Sequence, residues 1–388
     1  VRRDPAIDAL RGYAVAGVVL GHWLVTGLVL TSDGALAQAS PLAAMPALAP
    51  ATWLLQTLGL FFFTAGYASA RSAARHRGGP GRWLAHRLRR LVLPTVALLG
   101  TGAALLLAAT VAGAPDDTLA VALDLAASPL WFLLPLGALI ASTGPLRAAV
   151  RRWGPWWCAA PAVAAVAVAD VAGGPLPVSL LAAWSVPYLL GLAHADGRLC
   201  GRRPAATLAA GGAVALAALV VAGYPASAVG VPGAAMSNLN PPSLVAVALA
   251  AAQIGVGLLA RPALLRLTRR PVPARVVGAV NRHAMRIYLW HQPVLVGVTA
   301  LAARVAGPLP GLHTAPDGPA WLAARVCWLP LLLLLLAALV TRRTVPAGMD
   351  GSVRVYDVAR SEPRRPQEVI AVRDSDPSSR GRADRQPR

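Results

Sequence analysis

Ten apolar stretches, each about twenty residues long, recur along this chain, and no other feature limits its fold as strongly. About twenty apolar residues in a helix cross the roughly 30 Å of hydrocarbon in a bilayer. Within that hydrocarbon a backbone must satisfy its own hydrogen bonds, which makes each stretch a helix. The stretches lie at 8–30, 52–73, 91–112, 129–146, 153–172, 177–195, 205–223, 243–260, 279–305 and 319–341. The predicted fold class is all-α, a membrane protein with a bundle of about ten transmembrane helices. Only 13% of the residues are charged, against roughly a quarter in a soluble domain. Pro135 and Pro187 fall inside two stretches, where neighbouring helices can satisfy the freed carbonyls.

The connecting segments alternate in charge. Seven arginines from Arg71 to Arg90 lie between the second and third stretches. Arg147, Arg151 and Arg152 follow the fourth, Arg198, Arg202 and Arg203 the sixth, and five more from Arg261 to Arg275 the eighth. The alternate segments (31–51, 113–128, 173–176, 224–242 and 306–318) hold no Arg but contain Asp33, Asp116, Asp117, Asp124 and Asp317. The positive-inside rule then places both termini in the cytoplasm of a plasma membrane. This topology explains most of the net charge of +20, as basic loops facing anionic lipid. No nucleic-acid partner is implied. Residues 8–30 are too long and too polar at their start to be a cleavable signal.

Composition divides the chain in two: a membrane domain, 1–341, and a tail, 342–388. The tail is rich in Arg, Asp, Ser and Pro and holds the chain's two Glu, Glu362 and Glu368. It is predicted to be a disordered cytoplasmic segment. Cys158, Cys200 and Cys327 show no metal-ligand spacing, so neither a metal site nor a disulfide is expected.

The stretch "DALRGYAVAGVVLGHWL" at 8–24 sets charge against apolarity. Arg11 and His22 are eleven residues apart, close to three turns, and so share one helix face about 16 Å apart along the axis. Asp8 is placed for an i,i+3 pair with Arg11. Asp8 and Arg11 fit an interfacial anchor as well as a site. His22 lies deep, where an ionisable group is functional by default and the alternative is an interhelical hydrogen bond.

Two further clusters stand out. In "NRHAMRIYLWHQP" at 281–293, Tyr288 and His291 share a face one turn apart, which points to a buried polar chamber shared with His22. In "LGLFFFTAGYASA", Phe62 and Phe63 accompany Gly66, a pattern that fits close helix packing. In "RWLAHRLRRLVLP", Arg87 and Arg90 point the same way. Two forked cations on one face suit a phosphate or diphosphate, and ordinary positive-inside charge suits the spacing equally.

Taken in order, these motifs resemble the acyltransferase 3 family of integral membrane O-acyltransferases, over about 5–341. Its pattern of a basic residue, ten residues and His is met by Arg11 and His22. Its Phe-Phe-x-x-Gly-like motif is met by Phe62, Phe63 and Gly66, and its Arg-x-x-Arg pair by Arg87 and Arg90. Its Trp-Phe-Leu element is met by "LWFL", which contains Trp131, and its Tyr-Leu-x-His by Tyr288 and His291. The chain departs from the family at Ala65 and Ala284, where Ser is usual, and has no Glu in the membrane portion.

The resemblance implies an acyl-CoA donor entering from the cytoplasm of a bacterial cell, with no bound cofactor, and a hydroxyl-bearing acceptor. Arg11, Arg87 and Arg90 would hold the donor phosphates. His22 would serve as general base or be transiently acylated. Asp8, Trp131, Tyr288 and His291 would support the site or face the acceptor. Two other classes compete: a transporter using buried His as a proton relay, and a membrane scaffold. A related clan of N-acyltransferases shares the "DALRG" opening, which makes an amine acceptor the nearest enzymatic alternative.

Overall fold

The computed structural model describes residues 4–342; apart from Arg342, the predicted tail lies outside the described residues. Helix α1 (Pro5–Val25) opens on Asp4, whose side chain accepts the backbone N–H of Ala6 at 3.0 Å, with Pro5 as the first helical residue. That pairing satisfies a terminal donor, and proline's fixed φ suits a first turn.

The sequence predicts a first span over 8–30, yet α1 stops at Val25 and residues 27–30 turn back as a strand. Strand β1 (Gly27–Leu30) pairs antiparallel with β2 (Leu36–Ala39) in the register Gly27 to Ala39. The cause is the Asp33-Gly34 turn, with Gly34 at φ 80°, a hairpin signal that overrides the apolar run. Single helical turns follow at α2 (Pro41–Ala44) and α3 (Thr52–Leu55), before α4 (Leu58–Ala73).

Helix α5 (Gly79–Val111) begins twelve residues ahead of the predicted third span. The fourth span is displaced as well. Helix α6 (Asp116–Ala127) includes three aspartates that the alternating charge pattern assigns to a loop. Asp116 and Asp117 lie in its first turn, where carboxylates complement the positive end of the helix dipole. A tight 3-10 turn, Ser128–Phe132, joins it to α7 (Leu133–Ala141), and α8 (Thr143–Trp153) is a separate Arg-bearing helix.

The rest follows the predicted order: α9 (Pro155–Ala172), α10 (Leu176–Ala195), α11 (Arg202–Val221), α12 (Leu244–Leu259), α13 (Arg261–Arg269), α14 (Pro271–Ala306) and α15 (Pro319–Thr341). Among the described residues, seven helical stretches are long and apolar enough to cross a membrane. The pair α12 and α13, bent by 58°, makes an eighth. Two of the ten predicted spans, α1 and α14, fall outside that set. Their polar residues lower their hydropathy, Asp8, Arg11 and His22 on one and Arg282, Arg286 and His291 on the other. These two helices pack against each other and carry the candidate site.

The bundle is centred on α4 and α10. A Cβ at Gly66 would lie 2.2 Å from the Tyr188 carbonyl oxygen, and one at Gly191 would lie 2.0 Å from that of Phe63. The two backbones therefore touch, as membrane helices do where small residues allow it. Phe62 stacks on Trp184 at 5.2 Å beside this contact, which fits the packing reading of the Phe-Phe-x-x-Gly motif. Helix α5 instead turns Val92, Leu93, Val96 and Leu99 outward, a surface that lipid accepts and water does not.

Candidate active site

The ends of three helices meet around an arginine-lined cavity of 230 Å³. Arg11 and Asp8 come from α1, Arg71 and Arg75 from the end of α4 and just beyond it, and Arg87 and Arg90 from the first half of α5. Five arginines face Asp4 and Asp8 there, so the cavity is positive. The structure thus brings together Arg11, Arg87 and Arg90, and adds Arg71 and Arg75, which by sequence are only two of many loop charges.

Two of these cations are held by named partners. Arg11 Nε donates to Asn281 Oδ1 at 2.6 Å, and Asn281 Nδ2 donates to the Asp8 carbonyl at 2.7 Å. Asn281, one turn from Val277 on α14, thereby locks α1 to α14. Arg87 Nη2 donates to Ser69 Oγ at 2.9 Å. Tyr188, which pairs with Thr143 at 2.7 Å, also reaches Ser69, so the Arg87 anchor is continuous with α10 and α8.

The end of α4 that carries Arg71 is fixed from behind. Arg147 on α8 bonds the Ala70 carbonyl at 3.2 Å and pairs with Asp196, which also accepts from Arg151 at 2.8 Å. Burial works against ionisation of Asp196, but the hydrogen bonds and charges of Arg147 and Arg151 outweigh it and hold the carboxyl well below the usual range. Its stabilisation is therefore present at neutral pH and lost only in strong acid. Asp196→Asn should lower the thermal midpoint by a few degrees, the size of about 1–2 kcal/mol, as scanning fluorimetry measures.

Farther along α1, the second polar group forms. The rings of His22 and His291 are 5.0 Å apart, centre to centre. Trp23 Nε1 donates to the His291 carbonyl at 2.9 Å, which fixes the two helices in register. His291 is fully buried and its Nδ1–H donates to the Tyr288 carbonyl at 2.6 Å. That bond sets its tautomer and leaves Nε2 a lone pair with no partner. His22 is partly exposed, whereas His291 is enclosed. Gln292, which no motif or spacing singles out, places its side-chain amide 3.4 Å from His22 Nδ1, and its Oε1 is buried without a partner. Unsatisfied buried polar atoms are rare in native proteins, and two of them border His22.

Not every expected residue reaches this chamber. Tyr288 donates its hydroxyl to the Pro129 carbonyl at 2.8 Å and packs on Phe132 at 4.1 Å. Its hydroxyl is thus occupied in joining α14 to the 3-10 turn, with its ring 5.8 Å from His291. Trp131 lies beside Trp184, 6.3 Å away, while its neighbour Phe132 is the residue on Tyr288. The signal for Phe132 was present, since one face of a tight turn points inward, but a motif match does not say which of two adjacent aromatics does so. Cysteines placed at 22 and 291 in a chain freed of its own three should crosslink with a short bifunctional reagent. No crosslink at any reagent length would mean that α1 and α14 do not meet here.

Neither the comparison with curated proteins nor that with solved structures found a match. A family model described as an acyltransferase domain matches residues 4–341. That range spans both polar groups and nearly all the described residues, and the chain accordingly belongs to the acyltransferase 3 family as a multi-pass membrane acyltransferase.

Proposed function

We propose that this enzyme moves an acyl group from acyl-CoA, held at the cytoplasmic face, to a hydroxyl of a carbohydrate, lipid-linked or secondary-metabolite acceptor. One observation carries the reading: the arginine-lined cavity and His22 lie along a single face of α1, about 16 Å apart. CoA has its phosphates at one end and its thioester at the other, joined by a thin arm that matches such a separation. Five arginines suit a diphosphate with a further phosphate.

At the thioester, the acceptor oxygen attacks the carbonyl carbon while His22 takes its proton. The C–S bond then breaks and the thiolate recovers a proton as free CoA. For His22 Nε2 to be the base, Nδ1 must carry hydrogen; turning over the Gln292 amide, whose Nε2 faces Nδ1 at 3.4 Å, would bring its unpartnered Oε1 there as the acceptor. Comparing glycans, lipids and secreted metabolites of a deletion strain and its parent by mass spectrometry tests the proposal. A difference of one acyl unit is expected, and identical profiles would overturn it.

The orientation has its own check. A reporter fused after residue 200 should read cytoplasmic and one after residue 236 extracytoplasmic, since the arginine-rich segments mark the inner face. The reverse at either site would break the helix count, and the reverse at both would place the donor cavity outside.

A further inference from the structure

Arg325 is the least explained side chain in the bundle. It sits about two turns into α15, wholly buried, in a stretch otherwise free of charge. Its Nη2 donates to the Thr26 carbonyl at 2.5 Å, at the C-terminal cap of α1, where a cation also complements the helix dipole. Its guanidinium lies 4.9 Å over the Trp321 ring. Nε and Nη1 of Arg325 and Nε1 of Trp321 have no partner. Three buried donors thus stand together without an acceptor, and the ion pairs among the described residues lie elsewhere. Capping α1 uses one nitrogen. A buried cation left uncompensated is costly, and charge retained inside a membrane bundle marks a ligand path.

Its place along α1 says which ligand. Thr26 is one turn beyond His22 on the same face, about 6 Å along the axis. The donor arginines lie on the other side of His22. Along one helix face there is therefore a cationic pocket, a histidine and a second cation with open donors.

We propose that Arg325 and Trp321 bind an oxyanion, a phosphate or carboxylate, carried by the acceptor, and so bring the acceptor hydroxyl to His22. The inference rests on the reading above that His22 receives an acceptor. The open N–H groups of the guanidinium and the indole N–H donate to the anion's oxygens. The turn around Gly311 packs against the backbone of Ala324 and Arg325, which fixes the start of α15 on which both donors stand. The enzyme accordingly selects acidic acceptors.

The test uses the full chain in neutral detergent, saturated with CoA so that the arginine cavity is filled. Thermal unfolding is followed while inorganic phosphate, glucuronate or dihexanoyl phosphatidylglycerol is added at constant ionic strength. Wild-type protein should show a saturable rise in midpoint with at least one of them. A rise with phosphatidylglycerol alone assigns the site to a lipid headgroup; a rise with phosphate or glucuronate assigns it to a free oxyanion. Arg325→Met should weaken that response about tenfold or more while the CoA-induced rise persists. Its midpoint without anion should equal or exceed that of wild type, because an uncompensated buried charge has gone. Arg325→Lys keeps the charge but not the planar set of donors, and should weaken the response several-fold if the Met variant does not fold. A wild-type response in either variant, or none in wild type, overturns the inference. Failure of the donor reading would show separately, as no CoA-induced rise in wild type.

Discussion

His22→Ala should abolish acyl transfer while the protein still inserts, folds and binds donor. Loss of a general base costs about 10²–10⁴-fold in rate, and a transiently acylated imidazole would cost at least as much. His22→Gln keeps hydrogen bonding without basicity and should be nearly as inactive. A histidine that only joined α1 to α14 would behave otherwise. Gln would then rescue it, and Ala would reduce the amount of protein more than its specific activity. Labelled acyl transfer by purified variants, normalised to folded protein, separates the cases. Wild-type turnover in the Gln variant would remove His22 from the chemistry. The partial exposure of His22 beside fully buried His291 makes the two tests unequal. His291→Ala should act mainly on folding, because it removes the ring that fills the space between Tyr288 and His22.

Changing Arg87 and Arg90 together to Gln should raise the apparent Kd for acyl-CoA by about 100-fold or more. A hydrogen bond to a charged group is worth about 1.5–3 kcal/mol, and two such contacts multiply in affinity. The shorter glutamine gives up the Arg87 bond to Ser69, so thermal unfolding of the same variant separates a loosened contact between α5 and α4 from lost donor binding. Calorimetric titration of CoA into the purified double variant measures the effect. Unchanged affinity would return both residues to setting topology. Because Arg11, Arg71 and Arg75 line the same cavity, residual binding should be strongly salt-dependent, as expected of exposed charges screened by ions.

How much of this was legible before the structure differs from residue to residue. The face shared by Arg11 and His22 follows from helical spacing alone, and α1 is a helix through both positions. Gly66 was legible as a close-contact position, because only a residue without a Cβ tolerates a carbonyl so near. The early stop of α1 was also written in the chain, in Asp33-Gly34, but a long apolar run masked it. Asn281, Gln292 and Ser69 were not legible as site residues. Each is an ordinary polar residue in its own helix, and its meaning lies in what another helix brings opposite. Arg325 was half legible: a lone charge in an apolar run signals function, but its partner on α1 lies 299 residues away in sequence.

The sequence by itself determined the all-helical membrane class, the order of most spans and the family resemblance, since each follows from local composition, spacing and motif. Apolar length dictates a span, glycine dictates close approach, and two polar residues three turns apart must share a face. Only the tertiary structure decided that α1 faces α14, that α4 and α5 close an arginine cavity, and that Phe132 rather than Trp131 meets Tyr288. Those outcomes depend on which helix faces meet. In a bilayer, where lipid covers apolar faces as well as protein does, that choice rests on small residues and a few polar pairs. Such pairs have no spacing in the chain from which they can be read.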